Sequence, residues 1–281
     1  MIDRVLWYCY ELTRNQWLKP HQLRKLQENR LRAIIRHAYE NVPIYHRKLD
    51  SVGLKPDDIR TMEDLSQIPF ITKQEVRSGI PDQSLSRGYD VEDCVRASTS
   101  GTSGGPMPVF YDKRFLDYSM ANWYFRKITA IGLNPLEKRM SIEYGMPEFD
   151  AIQRQKIPMS GELSQESRAR IALGPIVSIL RPLRRRVQIT NNAEEVLAEI
   201  IKFQPKLIDG NTSYLRVIAE TMIDRGAKEI HPKAIRGDGE VLDEETRKFL
   251  GSVFECDVFD EYSTWDFGHG AWEFTRREGY H

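Results

Sequence analysis

The sequence lacks an excess of charge of either sign. Its 41 lysines and arginines balance 41 aspartates and glutamates over 281 residues. Without surplus positive charge there is no overall attraction to nucleic acid or to an anionic membrane surface, and we expect neither as a partner. The apolar fraction of 40% is that of an ordinary globular protein, which excludes a wholly disordered chain.

Cysteine and long apolar runs are also scarce. Cys9, Cys94 and Cys256 are far apart and form no CxxC pair, which argues against a disulfide framework and a structural zinc site. The most apolar later stretch, residues 171–180, is interrupted by glycine and proline and is far shorter than the ~20 residues that span a bilayer. The first ten residues show no signal-peptide pattern, so we expect a soluble, cytoplasmic protein.

Helical patterns dominate the N-terminal third. Apolar residues recur at helical spacing over residues 22–38, and a short helix is expected over residues 57–65. The run from Thr72 to Glu75 has the pattern of a capping box, which begins another helix. We therefore expect a helical segment over residues 1–85, packed on an α/β core over residues 86–281.

Strand and helix patterns alternate through the rest of the chain. After a loop over residues 87–108, rich in Ser, Thr and Gly, an amphipathic segment (114–130) and a strand (140–144) are predicted. The last third reads as strands at 206–209, 234–236 and 256–259, with helices at 193–203, 212–225 and 243–250. Short connections between alternating strands and helices imply right-handed crossovers and a mostly parallel sheet with flanking helices.

Parallel sheets of this kind bind ligands beyond the carboxyl ends of their strands. Three polar segments follow the predicted strands of the last third, namely residues 209–211, 237–240 and 260–262. We expect these three segments to share one edge of the sheet.

The loop over residues 98–106, STSGTSGGP, is the most informative stretch. Its glycines let backbone N–H groups converge, and its hydroxyls add further donors, so it suits a polyphosphate. It is not a Walker A loop, because no Gly-Lys-Ser/Thr follows. Residues 101–105 match GxSxG, but prolines stand where a nucleophile elbow needs a helix. Composition alone leaves a flexible linker as an equal alternative.

The same loop resembles the phosphate-binding signature of the adenylate-forming enzymes, which include acyl-CoA synthetases. More closely, the chain resembles the phenylacetate–coenzyme A ligase branch in several motifs of fixed order. These motifs are residues 31–45 (LRAIIRHAYENVPIY), 65–73 (LSQIPFITK), 205–215 (PKLIDGNTSYL) and 239–242 (GEVL). The resemblance implies the fold of the large N-terminal domain of those enzymes.

The resemblance also implies roles for individual residues. Residues Thr99, Ser100, Gly101, Thr102, Ser103 and Gly104 would bind the phosphates of ATP. Gly239 and Glu240 would lie along the adenine, and Asp260, Glu261 and Tyr262 would place an aromatic ring on the base. Thr102 and Asp266 would act in catalysis and hold Mg²⁺, with Asp266 in place of the family's glutamate. The family's loop lysine falls on Gly105.

The implied reaction is the activation of an aryl or acyl carboxylic acid. The acid attacks ATP, pyrophosphate leaves, and the acyl-adenylate then passes to the thiol of coenzyme A. The match ends near residue 281, before the family's ribose-binding aspartate and the lid with the catalytic lysine. We therefore expect an incomplete core that self-associates or depends on a separate lid-domain chain for turnover. Two alternatives stay open, a non-catalytic ATP-binding module and an adenylyltransferase that acts on another acceptor.

Overall fold

The protein is described by a computed structural model that covers residues 2–99, 107–143, 181–189, 192–264, 266–275 and 279–280. The chain divides into two compact units. One is Thr13–Lys113, and the other combines Met1–Leu12 with Arg114–His281. The division into residues 1–85 and 86–281 stays a prediction.

The unit Thr13–Lys113 is mainly helical. Its elements are the end of α1 (Ile2–Asn15), α2 (Pro20–Asn41), α3 (Pro43–Ser51), α4 (Lys73–Ser78), β1 (Val95–Ser98) and β2 (Pro108–Tyr111). The capping box is confirmed, because the Thr72 hydroxyl accepts a bond from the Glu75 amide (3.2 Å) and the Glu75 carboxylate accepts one from the Thr72 amide (2.8 Å). Among the described residues, no helix combines the length and apolarity needed to cross a membrane.

Two expectations for this unit are wrong. In place of one helix over residues 57–65 there are two 3₁₀ turns, Pro56–Asp58 and Glu63–Gln67. The Asp64 carboxylate accepts hydrogen bonds from the amides of Arg60 (3.0 Å) and Thr61 (2.8 Å). These bonds hold the segment that joins the two 3₁₀ turns in a turn of its own. The stretch over residues 87–108 is not all loop either, because it contains β1 and its last residue begins β2, the antiparallel partner of β1.

The second unit is built on a six-stranded sheet. Its further elements are α5 (Lys113–Met120), a π-helical segment (Ala121–Arg126), α6 (Lys127–Ala130), β3 (Arg139–Glu143), β4 (Arg184–Gln188), α7 (Ala193–Phe203), β5 (Leu207–Asn211), α8 (Thr212–Arg225), β6 (Ala234–Asp238), α9 (Glu244–Phe254), β7 (Asp257–Thr264) and β8 (Gly268–Trp272). The strand order is β4-β3-β5-β6-β7-β8, with all neighbours parallel except the antiparallel pair β7 and β8. The predicted α/β class with a mostly parallel sheet is confirmed.

The helices of this unit begin and end where local signals place them. The Asn192 side chain accepts a bond from the Glu195 amide at the start of α7, and the Asp243 carboxylate accepts one from Thr246 (2.7 Å) at the start of α9. Gly226, with φ +61°, ends α8 in the left-handed conformation that glycine adopts readily.

The two faces of the sheet differ in chemistry. Because side chains alternate along a strand, Ile208, Ile235 and Val258 share one face, where they join the apolar side of α7, α8 and α9 in the main core. The other face is covered by α6. On this face Leu207, Ala234 and Phe259 pack in one cluster with Ile128. The same face also carries the charged side chains of Asp209, Arg236 and Glu261.

Candidate functional site

The parallel register brings the three predicted polar segments to one edge of the sheet. Asn211 in β5 is level with Asp238 in β6, and Gly237 in β6 is level with Asp260 in β7. Segments that follow different strands in the sequence therefore meet at the carboxyl edge.

The third segment lies inside a strand rather than after one. We expected the strand to end at residue 259, but β7 continues to Thr264. The extension exists because β8 returns antiparallel and pairs with it, with Glu261 opposite Trp272 and Tyr262 opposite Ala271. Because a strand alternates its side chains, Glu261 is buried whereas Tyr262 is 56% exposed.

Asp260 is also buried and makes its contacts within the protein. The Tyr280 hydroxyl and the Glu261 amide donate hydrogen bonds to its two carboxylate oxygens. The Asp260 amide donates to Glu273 (2.8 Å), whose carboxylate forms a bidentate pair with Arg247 (2.8 and 3.0 Å). Of the three residues of this third segment, only Tyr262 presents its side chain to solvent.

Tyr262 forms an exposed aromatic surface with Phe267 from the turn between β7 and β8. The ring centroids are 6.0 Å apart and the planes are inclined by 40°. A Cβ atom at Gly270 would lie 2.7 Å from the Phe267 ring and 3.3 Å from the Tyr262 ring, so the two rings pack where only glycine leaves room. We call this pair of rings the aromatic platform.

Glu240 is anchored to the start of α8. Its carboxylate accepts hydrogen bonds from the Ser213 amide (2.8 Å) and the Ser213 hydroxyl (3.2 Å). A carboxylate at a helix N-terminus satisfies free amides and interacts favourably with the helix dipole. Gly239, before it, has φ +78° and makes a turn that other residues rarely adopt. The Gly239 turn is therefore fixed at the carboxyl edge of the sheet.

A buried cluster of charged side chains lies below this edge. Glu261 forms ion pairs with Lys127 of α6 and Arg236 of β6 (3.2 Å), and its carboxylate lies within hydrogen-bond distance of His269 Nδ1 of β8 (2.5 Å). Arg236 also lies 3.6 Å from Asp209 of β5. Buried charges of this kind need charged partners to offset their lost hydration. We call Lys127, Arg236, Glu261 and His269 the charge cluster.

The charge cluster has strongly displaced pKa values. Burial lowers the pKa of Lys127 to about 8, although Glu261 acts in the opposite direction. Burial alone would raise the pKa of Glu261, but the charges of Lys127 and Arg236 prevail and hold it well below its usual range. Burial, followed by the charge of Lys127, lowers the pKa of His269.

No local sequence pattern identifies the charge cluster. The sequence predicts an amphipathic segment around Lys127 and a strand around Arg236, and neither residue belongs to a local motif. The available signal was a lysine directly before the apolar run that begins at Ile128, with an acidic residue inside a buried strand at Glu261. Such a signal becomes specific only once the fold pairs the two residues.

The phosphate loop can be described only at its base. The Thr99 amide donates to the carbonyl of Met107, and the Met107 amide donates to the Thr99 hydroxyl, both at 3.0 Å. These two hydrogen bonds join the chain segments that precede and follow the loop. The predicted phosphate-binding residues Ser100, Gly101, Thr102, Ser103 and Gly104 lie outside the described residues.

Of the two residues predicted to hold Mg²⁺, Asp266 belongs to the described part of the chain and Thr102 does not. Asp266 is exposed in the turn between β7 and β8. Within the described ranges, no three histidine, cysteine, aspartate or glutamate side chains form a metal-binding group. Mg²⁺ is commonly held by one or two carboxylates together with substrate phosphates and water, so an exposed Asp266 fits an ion that arrives with a nucleotide.

Comparisons with known proteins relate the chain to one enzyme group. It is 39% identical over 129 residues to the phenylacetate-coenzyme A ligase of Escherichia coli, covering 46% of this chain and 29% of that protein. It is 32% identical over 210 residues to that of Thermus thermophilus, covering 74% of this chain and 42% of that protein. The match therefore spans less than half the length of either relative. No protein-family model matches the chain.

The fold is found in solved structures as well. An open conformation of 2-hydroxyisobutyryl-CoA ligase, in complex with 2-HIB-AMP and CoA, superposes with a TM-score of 0.70 at 16% identity. The match covers 94% of this chain and 59% of that one. Over the matched region, the chain is therefore similar in sequence to phenylacetate-coenzyme A ligases and shares its fold with a 2-hydroxyisobutyryl-CoA ligase.

Proposed function

We propose that the chain binds Mg-ATP and takes part in the activation of an aryl or acyl carboxylic acid, first to an acyl-adenylate and then to a coenzyme A thioester. The observation that carries this proposal is the exposed aromatic platform at the carboxyl edge of a parallel sheet, carried by the strand that neighbours the one leading into the Gly239 turn. Stacking on such a ring is worth about 1–3 kcal/mol per base. The enzyme relatives support the same reaction class.

Each part of the chain would contribute positioning rather than covalent chemistry. The platform would hold the base, the Gly239 turn would lie along it, and Asp266 would bind Mg²⁺ that accompanies the phosphates. Residues 99–104 would bind the phosphates themselves. Holding the reactants in place and neutralising charge on the phosphates is the protein's main share in such transfers. A cytoplasmic location and self-association stay predictions.

The reaction is tested by ATP–pyrophosphate exchange with a panel of aryl and acyl acids. The purified chain is assayed alone and with a lid domain of a phenylacetate-coenzyme A ligase supplied separately. We expect acid-dependent exchange when the lid domain is present, and its loss in Tyr262→Ala. Tyr89→Ala is the matched control, because Tyr89 is also about half exposed (46%) and has no predicted role.

The outcomes separate this proposal from its alternatives. ATP binding without exchange for any acid, in both arms, would contradict acid activation and favour a binding module. Transfer of AMP to a hydroxyl compound instead of a carboxylic acid would favour an adenylyltransferase. Acid-dependent exchange followed by thioester formation with coenzyme A supports the ligase reaction.

A further inference from the structure

Lys127 is buried directly beneath the strand that carries the aromatic platform. Its side chain is 1% exposed, and its ammonium group forms an ion pair with the equally buried Glu261. Glu261 is the neighbour of Tyr262 in β7. Because adjacent side chains point to opposite sides of a strand, Glu261 reaches inward to Lys127 while Tyr262 reaches outward.

The Glu261 carboxylate joins three elements through its two oxygens. One oxygen contacts Lys127 at the start of α6 and His269 Nδ1 of β8 at 2.5 Å, and the other lies 3.2 Å from Arg236 Nε of β6. Arg236 and His269 belong to strands that already pair with β7 through their backbones. Lys127 instead ties β7 to a helix on the covered face of the sheet.

We propose that Lys127 is a positioning residue for nucleotide binding: by holding Glu261, it fixes the adjacent Tyr262 and so sets the place of the aromatic platform against the base. This inference rests on the proposed function, since it assumes a nucleotide at this edge. Lys127 is itself too deeply buried to touch a ligand. Its effect must therefore reach the base through β7 and leave the phosphates untouched.

The test compares two ligands that share a triphosphate group. ATP has a base, whereas inorganic tripolyphosphate has none. Dissociation constants for both, with Mg²⁺, are measured by calorimetry for the wild-type chain and for Lys127→Met. We expect ATP binding to weaken about five- to tenfold, part of the loss expected when a base stack is removed, and tripolyphosphate binding to change less than twofold. Lys248→Met, an exposed lysine on α9, is the control.

A double-mutant cycle tests whether Lys127 acts through the ring. In a Tyr262→Ala background, Lys127→Met should have no further effect on ATP binding, because the platform is already absent. If Lys127→Met lowers the affinity for both ligands equally, or lowers that for neither, the inference is overturned. An additional loss in the Tyr262→Ala background would also overturn it.

Two further measurements guard against misleading results. Lys127→Met can unfold because it leaves the Glu261 charge partly unpaired. The double variant Lys127→Met/Glu261→Gln, which removes both charges, is therefore measured too. It should show the same loss of ATP binding with unchanged tripolyphosphate binding.

If the wild-type chain binds neither ligand, the proposed function fails. Hydrogen exchange of the backbone amides of Asp257–Thr264 then tests whether Lys127 holds β7 in place. Faster exchange in Lys127→Met, but not in Lys248→Met, supports the positioning role of Lys127, and unchanged exchange overturns it.

Discussion

Individual residues of the charge cluster show how burial and pairing oppose each other. Lys127 and Glu261 are both almost fully buried, yet their pKa values respond differently. Burial prevails for Lys127 and lowers its pKa to about 8, whereas two neighbouring cations prevail for Glu261 and keep its pKa low. Near neutral pH the cluster therefore holds an ionised carboxylate between two cations, with a lysine that loses its proton in the mildly alkaline range.

This difference predicts how stability depends on pH. The pKa of Lys127 is about 8 in the folded chain and ~10.4 when unfolded, so the unfolded chain binds more protons between these values. The free energy of unfolding should therefore rise with pH across that window, by roughly 3 kcal/mol from this residue. Urea unfolding at pH 7.5, 9 and 10.5 should show the rise in the wild-type chain relative to Lys127→Met. Parallel curves for the two proteins would contradict it.

A second prediction concerns Asp266. Its exposed carboxylate should contribute only when a metal ion accompanies the nucleotide. Asp266→Ala is expected to weaken ATP binding several-fold in Mg²⁺ and to leave binding in excess chelator nearly unchanged, as measured by calorimetry. Asp266→Glu, which restores the side chain typical of the family, serves as the control and should retain Mg²⁺-dependent binding. Equal losses with and without Mg²⁺ would point to a structural role in the turn.

Secondary-structure elements with strong local signals could be predicted from the sequence. The helix α8 begins at Thr212 and ends before Gly226, and α4 begins after the Thr72 cap. In each case the signal is a cap residue directly beside the helix, Gly226 after α8 and Thr72 before α4. The parallel strands of the last third followed from their alternation with helices, and so did the shared edge at which the polar segments meet.

Features that depend on contacts between distant residues could not be predicted. The β1–β2 pair joins residues on either side of a Gly-rich loop, and the extension of β7 to Thr264 requires pairing with β8. Nothing local in either strand reveals its partner. The charge cluster is a stronger case, because Lys127 and Glu261 are 134 residues apart. Burial of Glu261, which the sequence placed near the nucleotide, is a consequence of the same pairing.

The loop over residues 100–104 provides a prediction at the scale of one element. If its backbone N–H groups bind phosphates, bulky side chains at Gly101 and Gly104 should block their approach. Gly101→Val/Gly104→Val is expected to abolish calorimetric binding of Mg-tripolyphosphate.

Gly105, next to Gly104, provides a control variant that should strengthen phosphate binding instead of abolishing it. Gly105→Lys restores the lysine found in the family's loop and adds a charged donor, so it should tighten tripolyphosphate binding, by about tenfold for one charge-assisted hydrogen bond. Unchanged affinity in both variants would place the phosphates elsewhere.

At the scale of the whole molecule, the chain combines a helical unit with an α/β unit at whose sheet edge we propose that a nucleotide binds. Its balanced charge leaves recognition of an anionic ligand to local features, because no general positive field attracts phosphates. The aromatic platform, the Gly239 turn and Asp266 are such features in the α/β unit. Nucleotide binding at this edge is therefore the central prediction for this chain.

Nucleotide binding is tested most directly by a calorimetric titration of Mg-ATP into the full chain and into Tyr262→Leu. Mg-tripolyphosphate, which has no base, serves as the reference ligand. Leucine keeps an apolar side chain of moderate size but removes the aromatic face. We expect the wild-type chain to bind ATP more tightly than tripolyphosphate. Tyr262→Leu should lose about tenfold in ATP affinity, within the range for one base stack, while it binds tripolyphosphate as before. Equal ATP affinity in the two proteins, or no ATP binding by the wild-type chain, would contradict this prediction.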